Sequence, residues 1–315
     1  MIMDWLYVGL GLILLLLAGD SLVKGAVNLA LRLGIPALIV SLTIVAFGTS
    51  APELLISVQA IIDGVPRIAL GNVVGSNTAN ILLVLGIPAL LATMHTSECD
   101  TRVSYVQMLA ASVLFVALCY LGPITWVDGL ILLGALLAML IHAALSAKRH
   151  REGVVVDESA LEGVDPDMGW PRIALFLALG LVGLPLGANL LVDGSINIAR
   201  DFGVSETVIG LTLIAIGTSL PELATTVMAA LRRQADVALG NVIGSNMFNL
   251  LGIIGVAALV GPIPVEARFL SSDLWIMLAA SLLLIPFVFM RVDIGRMVGV
   301  IFTMLYLGYM VVVLG

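Results

Sequence analysis

Glu53 ends the segment Gly48-Thr49-Ser50-Ala51-Pro52-Glu53, which sits inside a long and predominantly apolar run. A carboxylate at membrane depth costs roughly 2.5–3.5 kcal/mol on insertion scales, so an intramembrane glutamate is read first as a functional group. Pro52 lacks a backbone donor and clashes with the carbonyl four residues back, so the helix is expected to loosen around Gly48–Pro52. Irregular backbone is tolerated at that depth only where it is buried in protein or lines a cavity. Freed carbonyls, the Thr49 and Ser50 hydroxyls and the Glu53 carboxylate would then face one point. Oxygen donors without thiolate or imidazole suit a hard cation.

The device occurs twice. Gly217-Thr218-Ser219-Leu220-Pro221-Glu222 repeats it 169 residues later, and the offset holds without a gap beyond the motif. Gly71-Asn72-Val73-Val74-Gly75-Ser76-Asn77 returns as Gly240-Asn241-Val242-Ile243-Gly244-Ser245-Asn246, and Asn80 returns as Asn249. So long an ungapped self-match marks an internal duplication. In each copy Thr and Glu are four apart and Ser and Glu three apart, which places them on adjoining helix faces. Ser76 and Asn80 stack on the next helix with Asn77 beside them, as do Ser245 and Asn249 beside Asn246. Taken singly, these asparagines and serines would be helix–helix glue; recurrence beside a duplicated glutamate favours a site. Gly71 and Gly75 form a small-xxx-small pair suited to close helix approach.

The elements that must position these groups are membrane helices. Hydrophobic residues make up 61% and charged residues 11% of the 315, with a mean hydropathy of +1.17, far from soluble composition. Stretches of about 20 apolar residues, enough to span, fall near 4–31, 36–62, 66–91, 103–121, 124–147, 171–199, 205–231, 235–260, 270–290 and 294–314. They are continuously apolar instead of alternating, which argues helix over β-barrel. The expected fold class is therefore an all-α integral membrane protein of ten transmembrane helices. Five spans per half, an odd number, make the halves an inverted-topology repeat with its site near the midplane. The division is 1–147 for the first repeat (motif 41–86), 148–170 for a solvated linker too short for a domain, and 171–315 for the second repeat (motif 210–255).

The net charge of −7 is carried largely by loops. With the N-terminus outside, one side collects Arg32, Arg102, Lys148, Arg149, Arg151, Arg172, Arg232, Arg233, Arg291 and Arg296, against Arg67, Arg200 and Arg268 opposite. The positive-inside rule then puts both termini outside the cell membrane and the 148–170 linker in the cytoplasm. Asp4 and the lack of a basic leader argue against a cleaved signal peptide. Asp20, Lys24 and Asn28 share one face of the first helix and read as polar glue, because their counterparts Asn189, Asp193 and Asn197 do not keep the charges. Cys99 and Cys119 have no metal or disulfide spacing and read as free thiols. Met277, Met290, Met297, Met304 and Met310 read as packing.

Two glutamates converging near a pseudo-two-fold axis would repel unless protonated or bridged by a cation. Their charge matches one Ca2+, with hydroxyls and carbonyls completing six to eight oxygens; Mg2+ fits less well because it dehydrates reluctantly. Na+, of similar radius, could occupy overlapping subsites, and mutual exclusion with alternating access gives exchange. No nucleophile–base pair or His/Cys cluster points to an enzyme, and no cofactor or protein partner is indicated beyond the transported ions and the bilayer. A divalent cation channel could also use a glutamate pair, but inverted halves and a single-copy site argue against a symmetric pore.

These residues resemble the two α-repeats of the sodium/calcium exchanger (cation/calcium antiporter) superfamily: Gly-Thr-Ser-x-Pro-Glu at 48–53 and 217–222, each followed by Gly-Asn-x-x-Gly-Ser-Asn at 71–77 and 240–246. Both halves are covered in order, and the chain looks like a prokaryotic exchanger of minimal design. The resemblance implies that Glu53 and Glu222 share Ca2+, assisted by Thr49 and Thr218. It implies that Ser50 and Ser76 serve one flanking Na+ site and Ser219 and Ser245 the other, with backbone oxygens from Ala46 and Ala215 and the same glutamates. Asn80 and Asn249 would lie beside them in the central plane. Exchange of three Na+ for one Ca2+, again implied by resemblance, moves one charge per cycle. At ~2.3 kcal/mol per charge per 100 mV, a negative interior would favour Ca2+ extrusion. Potassium-dependent relatives carry Asp where Asn249 stands, which disfavours K+ coupling. Proton-coupled relatives carry an acidic residue around the Gly-Ser-Asn segments, which favours Na+ over H+.

Overall fold

The computed structural model describes residues 2–151, 165, 167–204, 213 and 215–314. Leucine, valine, isoleucine and alanine dominate long segments with no water to satisfy their backbone, so the chain closes its hydrogen bonds within helices. In order these are α1 (Ile2–Leu33), α2 (Ala37–Thr49), α3 (Ala51–Ile62), α4 (Arg67–Leu91), α5 (Arg102–Leu121), α6 (Trp126–Arg151), α7 (Trp170–Asp201), α8 (Leu220–Leu231), α9 (Ala235–Val260), α10 (Phe269–Phe289) and α11 (Arg296–Leu314). A short helical turn, Ala215–Gly217, precedes α8. Among the described residues seven helices are long and apolar enough to cross a membrane, and α2 with α3 forms a further broken span bent by 43°. The chain is an all-helical, multi-pass membrane protein.

The centre of the molecule is α4 and α9, the two Gly-Asn-x-x-Gly-Ser-Asn helices. Each is 83% buried along its span, against 11% for α6 and 28% for α7. Their low apolar contrast between faces follows from this placement, because a helix surrounded by protein needs no polar side. Leu70, Val73, Val74, Leu239, Val242 and Ile243 pack in one core. Small residues let α9 press onto α2. A side-chain carbon at Gly244 would stand 2.6 Å from the Leu42 carbonyl oxygen, and one at Gly240 would stand 2.9 Å from the Leu38 carbonyl oxygen. The close approach therefore lies at Gly240 and Gly244. At Gly71 a side-chain carbon would meet Phe269 at 3.8 Å among the described residues.

α1 and α7 make a separate two-helix layer with its own core of Leu15, Ala18, Leu22, Leu184 and Ala188. Glycines on both allow backbone contact: a carbon at Gly11 would meet Leu191 N at 2.6 Å, and one at Gly187 would meet Leu15 N at 2.9 Å. The polar face of α1 is internal glue. Asp20 pairs with Lys24 at 2.9 Å and also with Arg232 just beyond α8, while the Asn28 side chain accepts from the Asp165 backbone amide at 2.9 Å. Cys99 and Cys119 are free, and burial pushes the Cys99 thiol, in the turn before α5, well above its usual range. Met277 and Met310 are buried, but Met290, Met297 and Met304 are exposed; in an apolar solvent these thioethers need no protein cover. Most of the 148–170 linker lies outside the described residues.

Gly244→Leu should lower the thermal unfolding midpoint of the detergent-solubilised protein, because the Leu42 carbonyl cannot move aside and overpacking costs about 1–3 kcal/mol. Gly9→Ala, where nothing lies within 4 Å, should leave it unchanged or slightly raised. Equal midpoints for the two variants would contradict the α2–α9 contact.

Candidate ion-binding site

Each glutamate begins a helix after a break. Ser50 has φ −86° and ψ 6°, and Ser219 has φ −88° and ψ 3°, both outside helical geometry. In each case a proline follows within two residues, at the start of α3 or α8. There the missing N–H falls in a first turn that has no intrahelical acceptor anyway. The two breaks thus adopt the same geometry in both copies, as the repeated motif requires.

Glu53 and Glu222 are both fully buried, and close enough that each acts electrostatically on the other. Ser50 Oγ donates to Glu222 Oε1 at 3.0 Å and Ser245 Oγ approaches the same oxygen at 3.5 Å. The Ser76 and Thr218 hydroxyls approach the Glu53 carboxylate. Even so, among the described residues Glu53 Oε1 and Oε2 have no hydrogen-bond partner, and neither do Glu222 Oε2, Asn80 Oδ1 and Asn249 Oδ1. These five buried acceptors come from four residues, two per half. Among the described residues no Lys or Arg forms an ion pair with either carboxylate. Acceptors buried without donors are costly unless something positive meets them.

The structure brings together Thr49, Ser50, Glu53, Ser76, Asn80, Thr218, Ser219, Glu222, Ser245 and Asn249. Two sets of contacts bear on the sodium subsites that the resemblance implies. The serines pair across the repeats: Ser50 and Ser245 converge on Glu222, while Ser76 and Ser219 meet at 3.4 Å on the Glu53 side. The sodium subsites implied by the resemblance group Ser50 with Ser76 and Ser219 with Ser245, whereas the hydrogen bonds of the structure join them the other way. Ser50 at the first break reaches over to Glu222 of the other half, and Ser219 at the second break meets Ser76. The Ala46 carbonyl accepts from Ser50 N at 3.1 Å; Thr49 Oγ1 also lies 3.3 Å from it, but that hydroxyl has one proton and Asn241 Oδ1 is the nearer acceptor at 3.2 Å, which leaves the carbonyl a free lone pair. In the second half the Ser219 amide donates to Ile216 O at 3.0 Å.

Sequence reasoning assigned no role to Asn72 and Asn241. Asn241 Nδ2 donates to the Glu222 carbonyl at 3.3 Å and to Thr226 Oγ1 at 3.1 Å, and its Oδ1 accepts from Thr49 at 3.2 Å. Asn72 Nδ2 donates to the Glu53 carbonyl at 3.3 Å and to Ser57 Oγ at 3.2 Å. Each therefore ties the glutamate's helix to the motif helix of the same half. Their recurrence at the 169-residue offset was the available signal. Thr49 gains from this, since a hydroxyl whose proton points at Asn241 turns its lone pairs elsewhere.

Comparison with known proteins follows the same lines. The sodium/calcium exchanger protein family pattern matches residues 3–145 and 172–315. The sodium/calcium exchanger MaX1 of Methanosarcina acetivorans is 34% identical over 350 residues, covering 98% of each chain. Inner membrane protein YrbG of Escherichia coli (strain K12) is 36% identical over 296 residues, covering 93% of this chain and 91% of that one. The solved structure of the sodium-calcium exchanger NCX_Mj soaked with zero Na+ and Ca2+ superposes with a TM-score of 0.83 at 32% identity, over 99% of both chains. A family pattern that fits both halves, and relatives aligned along nearly the whole length, place this chain in the sodium/calcium exchanger family.

Proposed function

We propose that this chain carries out electrogenic, K+-independent exchange of Na+ for Ca2+ by alternating access, with about three Na+ per Ca2+. The observation that carries the reading is the group of five partnerless buried oxygens on Glu53, Glu222, Asn80 and Asn249. Two ionised carboxylates with neutral oxygens around them suit one divalent hard cation, or monovalent ions in overlapping positions. Glu53 and Glu222 are the Ca2+ ligands, assisted by Thr49 and Thr218. The crossed serine pairs, Ser50 with Ser245 and Ser76 with Ser219, are the two Na+ subsites.

The arrangement supporting transport is a ten-helix inverted repeat. Seven long spans and the broken α2–α3 span support that reading, with the shorter apolar helices α8 and α11 taken as the remaining two. The repeats are 1–147 and 171–315, joined by a cytoplasmic linker at 148–170, with both termini outside the cell membrane. The neutral Asn249 supports K+ independence, because the centre holds no third carboxylate to compensate an added cation.

The direct test is 45Ca uptake into proteoliposomes driven by an outward Na+ gradient. Uptake should persist without K+ and with a proton uncoupler; because three Na+ leaving for one Ca2+ entering carries one positive charge outward, uptake should slow when the vesicle interior is made negative and speed up when it is made positive. Uptake driven only by a K+ or proton gradient would favour those couplings instead, and counter-ion-free flux at channel rates would favour a channel.

Glu53→Gln and Glu222→Gln should each abolish Ca2+ transport while the protein still inserts and elutes as a single species; near-wild-type uptake by either would remove it from the site. Asn249→Asp should make transport depend on pH, since a carboxylate added beside Glu53 and Glu222 must take up a proton or a further cation. Flat transport across pH and K+ concentration would show that position 249 lies outside the ion pocket.

A further inference from the structure

Two asparagines outside the ligand set fix which way Asn80 and Asn249 face. Asn77 Nδ2 donates to the backbone carbonyl of Asn246 at 3.1 Å, and a backbone carbonyl can only accept. That contact settles which end of the Asn77 amide is which. Its Oδ1 lies on the other side, where it accepts from Asn249 Nδ2 at 2.9 Å. Asn249 Nδ2 is further held by Ser76 Oγ at 3.2 Å, so the Asn249 carbonyl oxygen is the end left buried without a partner.

The mirror-related chain runs the opposite way. Asn246 Nδ2 faces the Asn77 backbone carbonyl at 3.5 Å and Met108 Sδ at 3.8 Å. Its Oδ1 accepts from Asn80 Nδ2 at 3.0 Å, and Asn80 Oδ1 is again left partnerless. All four amides are at most 1% exposed, so water does not compete for them. The shape of an asparagine does not distinguish its two ends: a half-turn of the amide exchanges a ligand oxygen for an N–H dipole of the wrong sign. Only this hydrogen-bond chain makes the choice.

We propose that Asn77 and Asn246 are positioning residues that set the polarity of the central pocket, each holding the carbonyl oxygen of the other half's central asparagine toward the cation. Asn77 acts on Asn249 and Asn246 acts on Asn80, so each half orients a ligand of the other. This rests on the reading of the pocket as a Ca2+ site.

The test is a double-mutant cycle on equilibrium Ca2+ binding to the full chain in detergent, by titration calorimetry at alkaline pH. Asn77→Ala should weaken Ca2+ binding about tenfold, the scale on which loss of a ligand's supporting hydrogen bond acts. Asn249→Asp has oxygen at both ends and no N–H to misdirect, so in that background Asn77→Ala should change Kd by less than about twofold. A purely structural role for Asn77 would weaken binding equally in both backgrounds, and that result overturns the proposal. Should Asn77→Ala not yield folded protein, Asn246→Ala with and without Asn80→Asp poses the same question. Absence of Ca2+ binding by the unmutated chain would overturn the site reading as well. Ca2+ binding without Na+-driven flux would overturn only the choice of counter-ion and leave the positioning claim supported.

Discussion

Buried carboxylates need a proton or an opposite charge beside them. Glu53 and Glu222 are fully enclosed, and among the described residues no arginine or lysine forms an ion pair with either. In an interior built otherwise from leucine, valine and alanine, that arrangement calls for a proton or a cation in the pocket. The rest of the molecule serves this constraint. α4 and α9 are the most buried spans and carry amides and hydroxyls, which can ligate without adding charge.

The manner of assembly matters as much as the inventory. Many polar contacts at the centre join one half to the other: Ser50 to Glu222, Thr49 to Asn241, Ser76 to Ser219, Asn80 to Asn246 and Asn249 to Asn77. Neither half holds the whole cluster with its supports. A cluster built on such a seam is sensitive to how the halves sit against each other.

Duplication did not produce an identical pair. Glu222 Oε1 has two serine partners within 3.5 Å, whereas neither oxygen of Glu53 has one at hydrogen-bond geometry. α9 continues past its motif through a widened π-type stretch, Phe248–Ile253, that contains Asn249, whereas Asn80 lies in regular α-helix. The counterparts therefore present their oxygens from different backbone settings. An identical pair of half-sites would leave nothing to separate the two flanking positions in energy.

The sequence by itself determined the helical membrane class, the repeat and which polar side chains are candidate ligands. These follow from local properties: continuous apolarity, a proline two residues after a serine, and a carboxylate where hydrocarbon should be. It also exposed Asn72 and Asn241 without giving them a task, because nothing local shows what an amide on one helix will meet on another. Tertiary structure alone decided that the serines cross between halves, that α9 presses on α2 through Gly240 and Gly244, and that the Thr49 hydroxyl meets Asn241. Each of those depends on the distance and crossing of helices far apart in the chain, where spacing along one helix carries no information.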